Sequence, residues 1–303
     1  SFTVDGDGEV RFASGAKADN LQKLYFRSGK GAEWKLLNDE ATSGLREYPM
    51  GFSADGATAY LEVQARGGPN QVVAMDIASG KRTTLLGDPT RDPWRVLRAT
   101  GATREPVGVL YGGNGVRAAF FDEAGKQARL HRTMERALAG QAVRIHSSTD
   151  DGNLVLVSAW SATNPGDYFL FDVAAGQADR VVGQREWIDP SKSAPVEFIR
   201  FNARDGLLLD GMLTSPAQAK GPMPMVIVPH GGPFGVFETW EYDEEAQVLA
   251  QAGYRVLKVN FRGSGDRGRD FEQAGAREWG GKMQDDITDA TQWAIKQGLA
   301  DPG

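Results

Sequence analysis

The chain has 303 residues, room for about two domains, with no cysteine and a net charge of −6 at pH 7. The acid excess and a pI near 5.3 give no electrostatic footprint for nucleic acid or an anionic membrane surface. The missing cysteines exclude a disulfide framework, thiolate metal sites and a cysteine nucleophile, though they fix no compartment, and cytoplasm and periplasm stay unresolved. The longest apolar run, about 222–229, falls far short of the ~18 residues of a membrane helix. Residues 1–10 lack the basic start and apolar run of a signal peptide. Glycine is in excess, 38 residues against a usual ~7% and with no collagen period, which points to many tight turns between short strands.

The first 190 residues repeat weakly. Ser53-Ala54-Asp55-Gly56 leads into Thr58–Val63, Gln71–Ile77, a turn at 78–81 and Arg82–Leu86. Ser148-Thr149-Asp150-Asp151-Gly152 leads into Leu154–Ala159, Asp167–Val173, a turn at 174–176 and Asp179–Val182. Each run reads as β-rich segments bounded by Asp-Gly and Ser-Gly turns. Turn glycines at Gly29, Gly80, Gly125 and Gly176 lie 51, 45 and 51 residues apart. A period of ~40–50 with four short strands per unit is the pattern of propeller blades, and about four blades fit residues 1–190. An irregular β-sandwich is the competing arrangement. Leu130–Ala142 breaks the pattern with helical spacing.

From about residue 195 the pattern changes. Val196–Phe201 and Leu207–Leu213 predict a hairpin, Met225–Val228 a short apolar strand, Glu238–Ala252 a helix stopped by Gly253, Tyr254–Phe261 a strand and Lys282–Gln297 a helix. Strand-helix alternation with apolar strands predicts a parallel sheet covered on both faces. His230-Gly231-Gly232-Pro233-Phe234 follows the short strand. Its two glycines leave backbone N–H groups unobstructed, as an oxyanion hole requires, although a structural glycine-rich turn gives the same letters.

The segments 196–216, PHGGPFG at 229–235, GYRVLKVNFRGSG at 253–265 and EWGGKMQDD at 278–286, in that order and spacing, resemble the start of the peptidase domain of the prolyl oligopeptidase family. The acylaminoacyl-peptidase and dipeptidyl-aminopeptidase-like branch is the most similar. The resemblance covers residues 196–303. It implies a partial β-propeller at 1–190 followed by the N-terminal half of an α/β-hydrolase domain at 195–303. It also implies a serine peptidase acting on short peptides through a Ser-His-Asp triad, with the propeller filtering substrates by size. The family's nucleophile lies in a G-x-S-x-G elbow, with the acid and histidine after it, and no serine in 1–303 sits in such an elbow. The nearest miss, Gly51-Phe52-Ser53-Ala54-Asp55, lacks the second glycine. The expectation is therefore a fragment ending before the nucleophile, with no catalytic residue inside it, and with Gly232, then Gly231, as backbone oxyanion donors. A second chain supplying the rest of the domain, or a homo-oligomer, is an expected partner besides short peptides. A non-catalytic propeller that binds peptides or proteins, with a degenerate hydrolase remnant, is the alternative.

Other motifs point to structure. Gly263-Ser264-Gly265-Asp266-Arg267-Gly268 matches a dinucleotide fingerprint, but the acids about 20 residues on, Asp285 and Asp286, fall in a helix pattern rather than at a strand end. In the family that loop carries a glycine-tyrosine pair where Asp266-Arg267 stand. Asp5–Glu9 reads as a β-turn rather than a calcium loop. No metal or cofactor is expected. His131, His146 and His230 are expected to be structural, Trp240, Trp279 and Trp293 to anchor the core, and Arg262 to pair with Asp285 or Asp286.

Overall fold

The computed structural model describes residues 1–302. Its first part is a series of antiparallel meanders. β1 (Phe2–Val4), β2 (Val10–Ala16), β3 (Gln22–Phe26) and β4 (Lys35–Asp39) form one sheet in chain order. After the one-turn α1 (Glu40–Ser43), the second sheet comprises β5 (Glu47–Phe52), β6 (Thr58–Val63), β7 (Gln71–Asp76) and β8 (Arg82–Gly87). The third has only β9 (Pro93–Arg98), β10 (Pro106–Tyr111) and β11 (Arg117–Phe120), followed by α2 (Lys126–Ala137). The fourth is β12 (Ala142–Ser148), β13 (Leu154–Ser161), β14 (Asn164–Asp172) and β15 (Gln177–Gly183).

These sheets pack face to face, because alternate residues of each strand point to opposite faces. Phe12, Leu24 and Phe26 of the first sheet meet Phe52, Leu61 and Met75 of the second. Met50 and Val72 of the second meet Val109, Tyr111 and Ala119 of the third. First strands of successive sheets touch, β1 against β5 and β9 against β12, as the innermost strands of blades do. Each spaced glycine follows the third strand of its sheet: Gly80 and Gly176 sit in the β7–β8 and β14–β15 turns with left-handed backbone, Gly29 lies between β3 and β4, and Gly125 caps α2. The expected helix thus begins four residues earlier than its apolar pattern suggested and replaces a fourth strand. It lays Leu130 and Met134 on Val143, Val155 and Phe171 of the fourth sheet.

A 3₁₀ turn (Pro190–Lys192) leads into the second part, with β16 (Val196–Asn202), β17 (Leu208–Thr214), β18 (Met225–Ile227), α3 (Glu244–Gln251), β19 (Arg255–Asn260), α4 (Arg269–Gln273) and α5 (Lys282–Lys296). Sheet order is β16-β17-β19-β18. The expected hairpin and the expected parallel pair both form, and they are joined in one mixed sheet. The tight turn through Gly206 makes β16 and β17 antiparallel, β17 is also antiparallel to β19, and only the crossover through α3 gives a parallel pair, β18 with β19. The strand at 254–261 is therefore internal, and β16 and β18 form the two edges among the described residues. Leu257 and Val259 of β19 join Ala290 and Ala294 of α5 in one core, while Val256 and Lys258 point to the α3 side. The helix expected over 238–252 is shorter: 238–243 is irregular and Asp243 caps α3 by accepting from the Ala246 N–H. Trp293 stacks on Phe201 and Trp240 packs against the third-sheet core, as expected. Trp279 does not: it is 72% exposed, leaning on Phe234.

Candidate functional site

The loop after β18 is shaped by its glycines and by the loop it faces. Gly232 has φ +104° and Gly235 +74°, left-handed values that favour glycine, and a Cβ on Gly232 would press on Val236 at 3.0 Å. Gly231 and Gly232 are exposed, and among the described residues neither backbone N–H donates a hydrogen bond. The second face of the site is the loop after β19. Gly265 N–H donates to the Val236 carbonyl at 3.0 Å, and any side chain at Gly265 would strike the Gly235 backbone at 3.1 Å.

His230 ties the two loops together. Its ring stacks on Phe261 at 4.6 Å, Nδ1 lies 2.9 Å from the Gly231 carbonyl and Nε2 lies 2.8 Å from Ser264 Oγ. Ser264 is fully buried and donates its hydroxyl proton to the Phe261 carbonyl at 2.7 Å. This serine-histidine contact has the separation of a catalytic pair, yet both ring nitrogens are held inside the loops and no carboxylate orients the ring. The other histidines have equally local partners. His146 Nε2 meets Ser158 Oγ at 2.8 Å, and His131, almost fully buried, packs on Phe120 and pairs with Glu135 in α2. Asp5 accepts from the N–H groups of Asp7 and Glu9 and from Arg11, which is the expected turn.

The base of the second loop is anchored by Arg262. It donates to both oxygens of Asp286, at 2.8 and 2.7 Å, and to Asp205 at 2.8 and 3.0 Å. The arginine holds the Asp205 carboxyl down at about 2. Asp285, the other expected partner, instead meets Arg204 on the surface. The far end of the same loop crosses to the propeller side. Arg91, just before β9, donates to Asp266 at 2.7 Å and Asp210 at 2.6 Å, all three side chains buried. The Asp92 N–H donates to the Asp266 carbonyl, and the Asp92 carboxylate accepts from Gly268 N–H. Sequence reasoning missed this junction, since Arg91 lies 119 residues from Asp210 and 175 from Asp266 in no recognisable motif. Its one visible signal was Asp266-Arg267 in place of a glycine-tyrosine pair.

A family model described as the prolyl oligopeptidase family matches residues 240–303. The whole chain is similar to dipeptidyl aminopeptidase BIII of Pseudoxanthomonas mexicana, 31% identical over 98% of this chain and 44% of that protein. Among solved structures, prolyl oligopeptidase B of Galerina marginata superposes over 99% of this chain and 42% of that one, with TM-score 0.74 and 14% identity. The acylaminoacyl peptidase of Pyrococcus horikoshii covers 96% and 44%, with TM-score 0.61 and 20% identity. The chain thus spans less than half the length of these relatives. The four sheets are blades of a partial β-propeller, none of them closing a ring, and they precede the N-terminal part of an α/β-hydrolase domain. The chain belongs to the prolyl oligopeptidase family.

Proposed function

We propose that the protein containing these residues is a serine peptidase that hydrolyses short peptides by Ser-His-Asp acyl transfer, with the triad outside residues 1–303. Residues 1–190 act as the propeller domain and 195–303 as the first half of the hydrolase domain. The observation that carries the reading is the pair of exposed N–H groups at Gly231 and Gly232, free of internal acceptors and held on a loop that His230 pins in place. Such preorganised donors stabilise the oxyanion that forms when a nucleophile attacks a carbonyl. Gly232 is the principal donor and Gly231 the second. Supporting it, the serine-histidine pair inside the chain has no acid and a buried hydroxyl, so it serves the loop rather than the chemistry.

Proline at Gly232 is an unsuitable probe, since φ +104° lies far from the proline range and the loop would refold. An amide-to-ester replacement at Gly232 removes the N–H and keeps the backbone. The full-length protein should release chromophore from short peptide p-nitroanilides, and the ester variant should lose roughly 10²–10³ in kcat. An unchanged kcat in a folded ester variant moves the donor elsewhere. Absence of turnover on any short peptide by the full-length protein overturns the peptidase reading.

A further inference from the structure

A cavity of about 170 Å³ lies where the turn between β6 and β7 and the segment before β9 meet β16, β17 and the loop after β19. No residue of the oxyanion loop lines it. Three arginines do, Arg91, Arg200 and Arg267, against a single carboxylate, Asp210. Arg200 and Asp210 are register partners in the antiparallel pair β16–β17, so their side chains share one face of the sheet. They nevertheless form no ion pair, because Asp210 is already engaged: Oδ2 accepts from Arg91 at 2.6 Å and Oδ1 from Asn260 at 2.9 Å.

Two of the three guanidinium groups are thereby left with unused donors. Among the described residues Arg200 makes no side-chain hydrogen bond or ion pair, and its guanidinium rests on the Phe198 ring at 5.2 Å. Arg267 donates to the Leu208 carbonyl at 2.7 Å and stays 4.0 Å from Asp210, with its guanidinium 4.0 Å from the centre of the Phe271 ring. Five N–H donors in a fixed fork are far from satisfied by one carbonyl. Burial lowers the Arg267 pKa, and the charges of Arg91 and Arg200 lower it further against the pull of Asp210 and Asp266. Even with Asp266 counted, three cations face two carboxylates, an excess of one positive charge. Solvent reaches both groups: Arg200 is exposed and the Arg267 side chain is 16% exposed.

An unmatched positive charge in a recess attracts an anion. The two free forks select its shape. Arg200 and Arg267 project from different elements and lie over different rings, so their planes are set independently. A carboxylate has two oxygens in one plane and fills one fork, whereas the tetrahedral oxygens of a phosphate serve two forks at once. None of the lining residues is aromatic, so nothing there stacks on a base. We propose that this cavity binds a phosphate group through Arg200 and Arg267, with Arg91 adding charge from the propeller side. The group can be inorganic phosphate or a phosphomonoester, whose carbon stem Pro69, Pro89 and Leu208 would meet. This binding is independent of the peptidase function proposed above.

The test is equilibrium dialysis of the full-length protein with radiolabelled inorganic phosphate, at ionic strength held constant with sodium chloride. Saturable binding of one phosphate per chain is expected, weakened about tenfold in Arg200→Gln and in Arg267→Gln. Arg204→Gln, which removes a surface charge that pairs with Asp285 and Asp289, should leave the affinity unchanged. Should Arg267→Gln fail to fold, Arg200→Gln on the exposed edge strand carries the test. No saturable binding, unchanged affinity in the folded Arg200 variant, or equal weakening in Arg204→Gln would overturn the proposal. So would displacement of phosphate by an equal concentration of acetate, which would make the site one for carboxylates. Competition by n-propyl phosphate distinguishes the sources: tighter binding than inorganic phosphate assigns a phosphomonoester, and equal or weaker binding assigns the free ion.

Discussion

The loop from Arg262 to Gly268 is fastened at both ends by buried ion pairs, and the two ends differ in how completely their charges are matched. At Arg262 one guanidinium donates four hydrogen bonds to Asp286 and Asp205, and the set lies within the hydrolase part. At Asp266 the guanidinium comes from the propeller side, serves two aspartates, and leaves a carboxylate oxygen unpaired beside Glu62, Asp92 and Glu272. Saturated polar networks hold a fold together; partly satisfied ones stay receptive to a ligand or a proton. One loop therefore has a structural root and a receptive tip.

The largest effect expected from breaking this pattern is on stability. Arg91→Met leaves Asp210 and Asp266 buried without their cation and should cost about 3–5 kcal/mol in urea unfolding. Arg262→Met should cost a similar amount by stranding Asp286, which is fully buried. The comparison sharpens when Asp266→Asn is added. It should restore part of the loss in the Arg91 variant and none in the Arg262 variant, and equal rescue of both would show that the two ends are not independent.

The next expected effect is on pH dependence. Glu62 and Asp266 have folded-state values near 7, above ordinary carboxylates, so the folded state holds more protons than the unfolded one between about pH 4 and 7. Their contribution to stability is full below that window and declines as pH rises through 7. Glu62→Gln should flatten the fall in Tm across pH 5–8, and an unchanged profile would place the burden elsewhere. Asp205 has the opposite sign: its low value stabilises above about pH 4 and is lost as pH falls toward 2, weakened by its exposure to solvent.

Smaller still, Ser264→Ala removes the contact to His230 and should cost about 1 kcal/mol in urea unfolding. It should lower kcat of the full-length protein through a loosened oxyanion loop, slowing acylation without abolishing it. Complete loss of acylation in a folded Ser264→Ala variant would make that hydroxyl the nucleophile. The exposed pair of Arg204 with Asp285 sets the floor, since Arg204→Met should change stability by about 0–1 kcal/mol.

What was legible in the sequence follows from how local its cause is. Asp-Gly turns announce hairpins because a short polar residue and a left-handed glycine close the chain within a few residues, so the second and fourth sheets could be read directly. The substitution of α2 for a strand in the third sheet was only half visible. Its helical face is marked by Leu130 and Met134, but its start at Lys126 has no side-chain cap to signal it. In the hydrolase part the hairpin β16–β17 and the parallel pair β18–β19 were legible, but the antiparallel pairing of β17 with β19 was not, because an apolar strand such as β19 looks the same whether its neighbours run parallel or antiparallel. The expectation of free N–H groups at Gly231 and Gly232 needed only two adjacent glycines after a strand. The junction needed Arg91, Asp210 and Asp266 to meet in space, and nothing in the order of residues specifies that meeting.

The proposed function assigns the serine-histidine contact in residues 1–303 to support of a loop and the acyl chemistry to a serine outside these residues. Reacting the full-length protein with a fluorophosphonate and mapping the modified residue by mass spectrometry tests it most directly. One rapidly labelled serine is expected, outside residues 1–303, with Ser264 unmodified. Rapid labelling of Ser264, or of any other serine within these residues, would contradict it.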